Sequence, residues 1–386
     1  MVRIVLTADN HLNAYYRKMS PSQMGERRKA LQSAFHQVIE FSLKNADIFL
    51  QAGDLFDSTE PGYEDILFAL RCFHQLSEKG VRAFAIGGTH DTPKSKERMS
   101  PLRFLSELGV LHFFSKKTGI ETSKVKVNGV EISIGGMSTN TRLPNSEDPL
   151  KGVSFPEFGE LNILLLHYGI QGHYIPGAQD LTVPLGSLDL LEGVNLFAVG
   201  HYHHPRDFRI GEKLIIIPGA TERMDFGERE ESCGFYYLEY QSGKLDCQFI
   251  KVETQPMGQV VVRSPEIERA LDPTSMILER IREASNPRKL LKLKVEGVFT
   301  PELYHQVQWA KVWQEGKAGN FFFDIDLASM KMNPAKPDIK TGGAGYSEKE
   351  EIKKVATALA EKASPSEREI FLDALDLIME EYNKRR

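Results

Sequence analysis

The 386-residue sequence predicts an α/β protein: two packed sheets flanked by helices, then a smaller α/β part and a helical hairpin. Three observations lead there. Five short runs rich in leucine and β-branched residues, Val2 to Leu6, Ile48 to Leu50, Val81 to Ile86, Leu161 to Leu166 and Leu196 to Val199, read as buried strands. Helical patterns over Glu26 to Lys44 and Tyr63 to Lys79 separate the first three, and that alternation implies an at least partly parallel sheet. Short alternating segments, "KVKVNGVEISIGG" around residues 120 to 135 and "FYYLEY" within Lys213 to Val252, supply a second sheet packed on the first.

These elements make residues 1–255 one domain. After Gln255 the texture changes to mixed helix and strand signals joined at prolines, so 256–327 reads as a smaller α/β domain. Residues 328–346 are rich in Lys, Pro and Gly and poor in large apolar side chains, as in a flexible linker. The hairpin follows over 347–386. Ser347 with Glu350 and Ser364 with Glu367 form capping boxes, and Pro365 sits at a first helical position. Ile352, Val355, Ala356 and Leu359 form one apolar stripe; Ile370, Phe371, Ala374, Leu377 and Ile378 form a second. Two such short helices want a further surface, either a partner's or their own body's.

Charged residues make up 26% and hydrophobic ones 41%, which excludes a disordered or fibrous chain. A net charge of -5 does not advertise nucleic acid, yet a local basic patch can sit beneath a negative total. Cys72, Cys233 and Cys247 form no paired motif, the N-terminus reads as a strand, and no run approaches the roughly 20 apolar residues of a membrane span. The expected location is the cytoplasm, with no membrane contact. Trp309 and Trp313, four apart on a predicted helix, are expected in a core, and the basic run from Arg280 to Lys294, interleaved with Glu279 and Glu283, as a solvated face.

Chemistry-bearing residues collect at the carboxyl ends of the strands. The first delivers Asp9 and His11 ("ADNH"), the second Asp54 and Asp57 ("GDLFD"), the third His90 and Asp91 ("GGTHD"). The strand from 161 ends in His167, and that from 196 in His201, His203 and His204 ("GHYHHP"). Ligands bind outside the carboxyl ends of parallel strands, so these groups are expected to converge on one edge. A lone histidine after a strand is usually structural; the weight lies in the fivefold recurrence. Carboxylate and imidazole without thiolate suit Mn²⁺, Fe²⁺ or Zn²⁺. Two such ions about 3.5–4 Å apart clamp a phosphoryl group. A bridging carboxylate is then needed, and Asp54, after the turn-forming Gly53, is the candidate.

The motif series resembles that of the calcineurin-like metallophosphoesterases. "PGATERMDFGE" (218–228), "SPLRFLSELGV" (100–110), the following small domain and the tethered hairpin are similar to the SbcD nuclease family, also called meiotic recombination eleven. The resemblance implies a metallophosphoesterase sandwich with a small capping, DNA-binding domain. It also implies one metal on Asp9, His11, Asp54 and His203, and a second on Asp54, His167, His201 and the residue before His90. In that family His90 would assist the scissile phosphate or leaving group. Two Mn²⁺ ions per chain, endonuclease and 3′-to-5′ exonuclease activity on double-stranded DNA and its ends, a homodimer, and an SMC-like (SbcC-type) ATPase bound through 347–386 are further implications.

One position departs from the pattern. Where the family carries an asparagine whose carbonyl ligates the second metal, this chain has Thr89, a shorter and poorer donor. Two alternatives therefore stay open: a metallophosphodiesterase of small substrates, which would not need the linker and hairpin, and a DNA-tethering scaffold that no longer cleaves.

Overall fold

The computed structural model describes residues 1–95, 98–173, 181–333 and 352–357, together with Arg368, Leu375, Ile378 and Met379. Residues 1–333 cluster as one unit and 334–386 as another. In the second unit the described residues are all helical; the rest of the expected linker from 334 and of the hairpin lies outside the described residues.

The chain opens with β1 (Val2–Thr7), α1 (Pro21–Asn45), β2 (Ile48–Gln51), α2 (Tyr63–Glu78), β3 (Arg82–Ile86), α3 (Pro101–Glu107) and β4 (His112–Phe114). Helix α1 starts five residues before the expected Glu26. Ser20 caps it, Pro21 takes the first position, and Gln23 closes a capping box, a local signal outweighing the lack of apolar periodicity there. Next come β5 (Glu121–Val127), β6 (Val130–Gly136), β7 (Leu161–His167), the short pair β8 (Gly169–Ile170) and β9 (Thr182–Val183), α4 (Leu185–Leu190), β10 (Leu196–Gly200), β11 (Arg206–Ile210) and β12 (Lys213–Ile217). The hairpin β13 (Gly234–Gln241) and β14 (Lys244–Lys251) follows.

Two six-stranded mixed sheets result, ordered β14-β13-β1-β2-β3-β4 and β11-β12-β10-β7-β6-β5. One expectation needs correction: the strands of 213–252 do not all join the second sheet. β12 does, but β13 pairs antiparallel with β1 in the first, Val2 opposite Tyr240 and Ile4 opposite Leu238. The reason is two-sided burial. Tyr236, Leu238 and Tyr240 face the space between the sheets, while Phe235 packs on the helical side against Phe41 of α1.

The alternation of side chains along each strand builds the layers. In β1, Ile4 and Leu6 point between the sheets and Val5 points at α1 and α2; in β10, Leu196 and Ala198 point between the sheets and Phe197 and Val199 away. Each fully buried aliphatic side chain here contributes about 1.5–3 kcal/mol. Both sheets are thus apolar on two faces, leaving only their strand ends for polar chemistry.

Beyond residue 255 the chain forms β15 (Met257–Arg263), α5 (Ser264–Arg269), α6 (Pro273–Ala284), β16 (Leu290–Phe299), α7 (Pro301–His305), α8 (Trp309–Gly319), β17 (Phe322–Asp326) and β18 (Met330–Met332). β15, β16 and β17 make a parallel sheet. Met330–Met332, expected in the linker, instead forms β18 and pairs in parallel with Gly297–Phe299 of β16, the stretch beyond the Leu290–Lys294 segment that β17 covers. Trp309 is partly buried on Tyr304, whose carbonyl accepts its indole N–H at 3.0 Å. Trp313, by contrast, is 44% exposed beneath the Lys317 ammonium. Helix α8 turns Val312 and Gly316 inward, and Trp313 falls one position off that face.

Candidate metal centre

Loops leaving the carboxyl ends of strands in both sheets carry the expected ligands. Asp9 and His11 follow β1, Asp54 follows β2, Thr89 and His90 follow β3, His167 closes β7, and His201 and His203 follow β10. β1, β2 and β3 run parallel, as do β7 and β10, so each sheet presents its ends together. The two edges meet: Asp9 Oδ1, from the first sheet, lies 3.9 Å from His167 Nε2, from the second.

Unusual backbone aims these residues. Asp9, His11, Asp54 and His201 have φ of 50°, 45°, 53° and 96°, four of the seven non-glycine residues with positive φ among those described. Each such residue costs on the order of 1–3 kcal/mol, tolerated where surrounding contacts over-determine it. Here the Asp9 N–H donates to Gly53 O and the His11 N–H to Asp54 O, both at 3.1 Å. Gly53 also has positive φ (94°), and a Cβ there would collide with the His167 ring; one on Gly88 would collide with the Asp54 carboxylate.

Three groups of ligand atoms form, each within 4.8 Å: Asp9, His11 and His203; Asp9, Asp54 and His167; and His11, Asp57 and His90. Asp9 is common to the first two. Hydrogen bonds fix the imidazole orientations. His11 Nδ1 is 3.0 Å from Asp57 Oδ1, His203 Nδ1 2.6 Å from Glu228 Oε1, and His167 Nδ1 2.8 Å from Ala52 O. Carboxylates and carbonyls only accept, so each Nδ1 carries the proton and each Nε2 is turned toward the site.

These positions fit divalent cations. His11 Nε2 and His203 Nε2 face each other at 3.1 Å, where two lone pairs repel unless a proton or a metal ion lies between them. His167 Nε2 is fully buried and makes no hydrogen bond of acceptable direction, although Asp54 Oδ2 is 3.0 Å away. Burial disfavours the charged ring of His203, but the Glu228 hydrogen bond and the Asp9 charge outweigh it and push its pKa up to about 9. Burial likewise opposes charge on both His167 and Asp54; their mutual attraction wins, holding the imidazolium above and the carboxyl far below its ordinary range.

Thr89 and His201 stand differently from the rest. The Thr89 hydroxyl donates to Asp54 Oδ2 at 3.0 Å. His201 lies outside the three groups; its ring centroid is 5.4 Å from that of His167, and its N–H donates to the Asp9 carboxylate at 3.1 Å. His90 is exposed, its Nδ1 3.1 Å from Asp57 O. His204 turns to Glu231 at 2.8 Å, and buried Asp91 accepts N–H bonds from Leu55 (2.9 Å) and Gly88 (2.7 Å), tying two loops together. Sequence reasoning missed Glu228 and the Ala52 carbonyl and left Asp57 without a role. Glu228 had one available signal, its place at the end of the quoted "PGATERMDFGE" stretch; a backbone carbonyl has none.

Residues 2–205 match the family model described as calcineurin-like phosphoesterase. The chain belongs to that family. Like other calcineurin-like phosphoesterases it is a metal-dependent hydrolase, and its His and Asp groups suit the divalent ions the family binds. Distant homologues carry the name DNA double-strand break repair protein Mre11. That of Sulfolobus acidocaldarius is 26% identical over 294 residues, 72% of this chain and 74% of the relative. The Saccharolobus solfataricus protein is 26% identical over 309 residues (77% and 76%), and the Methanocaldococcus jannaschii protein 29% identical over 247 (62% and 63%). Among the described residues no helix is long and apolar enough to cross a membrane.

Proposed function

We propose that the chain is a Mn²⁺-dependent DNA endonuclease and 3′-to-5′ exonuclease acting in double-strand-break repair. One observation carries the reading: two His and Asp groups that share Asp9 meet where both sheets end. The distant relatives supply the substrate class. By the resemblance Asp9, His11, Asp54 and His203 would hold one ion, and Asp54, Thr89, His167 and His201 the other; Asp9, common to the two groups, also stands 3.9 Å from His167 Nε2.

When bound by these residues, two divalent ions would supply Lewis-acid polarisation of the phosphate and a water acidic enough to attack at neutral pH. The protein's own residues orient and move protons. Asp57 and Glu228 keep the rings of His11 and His203 with Nε2 forward. Asp57 also occupies His90 Nδ1, which leaves His90 Nε2 to protonate the departing oxygen as the P–O bond breaks. In the same reading residues 1–255 are the nuclease domain, 256–327 a DNA-binding cap, 328–346 a linker and 347–386 the dock for an SMC-like ATPase, with the chain acting as a homodimer.

The test compares linear duplex DNA with bis(p-nitrophenyl) phosphate across a Mn²⁺ titration followed by chelation. Degradation of the duplex supports the nuclease. Turnover of the dye alone would favour a small-substrate enzyme, and DNA binding without any cleavage, a scaffold disabled at Thr89.

A further inference from the structure

The metal-ligand set uses none of the cations beside it. Lys94 lines two adjoining cavities. One, about 570 Å³, is also walled by Asp57, Thr89, His90 and Arg98; the other, about 210 Å³, by Thr89, His167 and His201. The exposed Lys94 therefore stands on a wall shared with the candidate ligands and with His90. Two more cations close on the same turn. Lys117 Nζ donates to Pro93 O at 2.8 Å, and Arg142 Nη2 to Lys94 O at 2.9 Å.

Both acceptors are neutral carbonyls. Among the described residues no carboxylate lies within ion-pair distance of Lys94, Lys117 or Arg142. The basic run of 280–294 behaves differently: Arg280 pairs with Glu266 at 2.7 Å, Arg282 with Glu315 at 3.1 Å and Lys294 with Glu296 at 2.8 Å. Among the described residues these cations are uncompensated, and Lys117 and Arg142 stand close enough to repel each other, in a chain of net charge -5. Burial and the neighbouring Arg142 already draw Lys117 below the ordinary amine range. An anion held among them removes that repulsion.

We propose that Lys94, Lys117 and Arg142 form a subsite for a backbone phosphate of the strand that flanks the scissile phosphodiester. The proposal rests on the phosphodiesterase reading and deepens it: the subsite makes the enzyme select a polynucleotide over a small diester, which has no second phosphate to place there. A terminal phosphate on a mononucleotide carries the same chemistry and serves as the competing source. Phosphate contacts of this kind position a strand without reading its sequence.

The experiment measures binding of fluorescein-labelled oligothymidylate to the full chain by anisotropy in EDTA, as a function of salt. Wild-type protein should bind, and Lys94→Ala should flatten the log–log salt slope by roughly 0.7, the value for one lost single-strand phosphate contact. Lys94→Arg should restore the slope, which a merely structural role would not require, and Arg142→Ala should flatten it as well. With Mn²⁺, the ratio of kcat/KM on oligothymidylate to that on bis(p-nitrophenyl) phosphate should fall about tenfold in Lys94→Ala, mostly through KM. An unchanged slope, an equal loss on both substrates, or full displacement of the oligonucleotide by equimolar thymidine monophosphate overturns the strand subsite. If the wild type hydrolyses neither substrate but keeps a Lys94-dependent salt slope, the phosphodiesterase reading fails and the phosphate subsite stands.

Discussion

His11 Nε2 and His203 Nε2 point at each other across 3.1 Å while their Nδ1 atoms are committed to Asp57 and Glu228. The two carboxylates thereby create an electron-rich gap that either a proton on His203 or a metal ion fills. Replacing Glu228 with Gln removes the demand for a proton on Nδ1 and frees the His203 ring to turn or change tautomer. Glu228→Gln should weaken the ion held by His11 and His203 about 10–100-fold. Equilibrium dialysis against Mn²⁺ checks this; an unaltered Kd would mean that Glu228 does not orient the ligand.

The raised pKa values of His203 and His167 both make metal binding pH-dependent, and His203 is the first to lose its proton as pH rises. At pH 7 the metal-free ring carries a proton that an ion must displace, so Mn²⁺ affinity should climb with pH until about 9 and binding should release protons. Calorimetry in two buffers of different ionisation enthalpy reads that release directly. The metal-free protein has the opposite sign. A histidine whose folded pKa is raised stabilises the fold fully below its unfolded value, about 6.5, and loses that contribution as pH rises through about 9. Melts in EDTA should therefore decline over this window; a flat profile counts against the His203–Glu228 pair.

Asp54 gathers three neighbours: His90 N–H at 2.7 Å on Oδ1, and the Thr89 hydroxyl and His167 Nε2, each at 3.0 Å, on Oδ2. Asp54→Ala should abolish occupancy of both metal positions and all hydrolysis, and wild-type cleavage by that variant would rule out a bridging role. Thr89→Asn should replace the hydroxyl with a carbonyl able to reach a metal, lowering the Mn²⁺ concentration for half-maximal activity. No shift in that concentration would show that position 89 does not govern the second ion.

Stability depends on a second buried network. Arg27 and Glu222 side chains are wholly buried at 3.3 Å; Arg27 also donates to Gln255 Oε1 at 3.0 Å and lies over the Tyr16 ring. Arg27→Ala would strand the Glu222 charge and should cost about 3–5 kcal/mol in urea unfolding. A cost below about 1 kcal/mol, as for an exposed pair, would contradict this account.

The layered α/β core was legible because its signals are local. Strand composition and the spacing of Asp9 to His11 and of His201 to His203 depend on a few consecutive residues whose geometry the backbone dictates. The sheet membership of β13 was not legible: its two-sided apolar pattern suits either sheet, and only packing against α1 and the interlayer chose. The basic run of 280–294 drew notice as a sequence feature, yet its charges are largely neutralised by neighbours.

By itself, then, the sequence determined the α/β class of the two-sheet core, the strand ends that bear chemistry and the residue types available there. The tertiary structure decided which partners those residues meet. It placed Asp57 behind His11, Glu228 behind His203, and Lys117 and Arg142 around the turn of Lys94. Electrostatic partnership acts over a few ångströms of space and is indifferent to separation along the chain, so it becomes definite only once the sheets have packed.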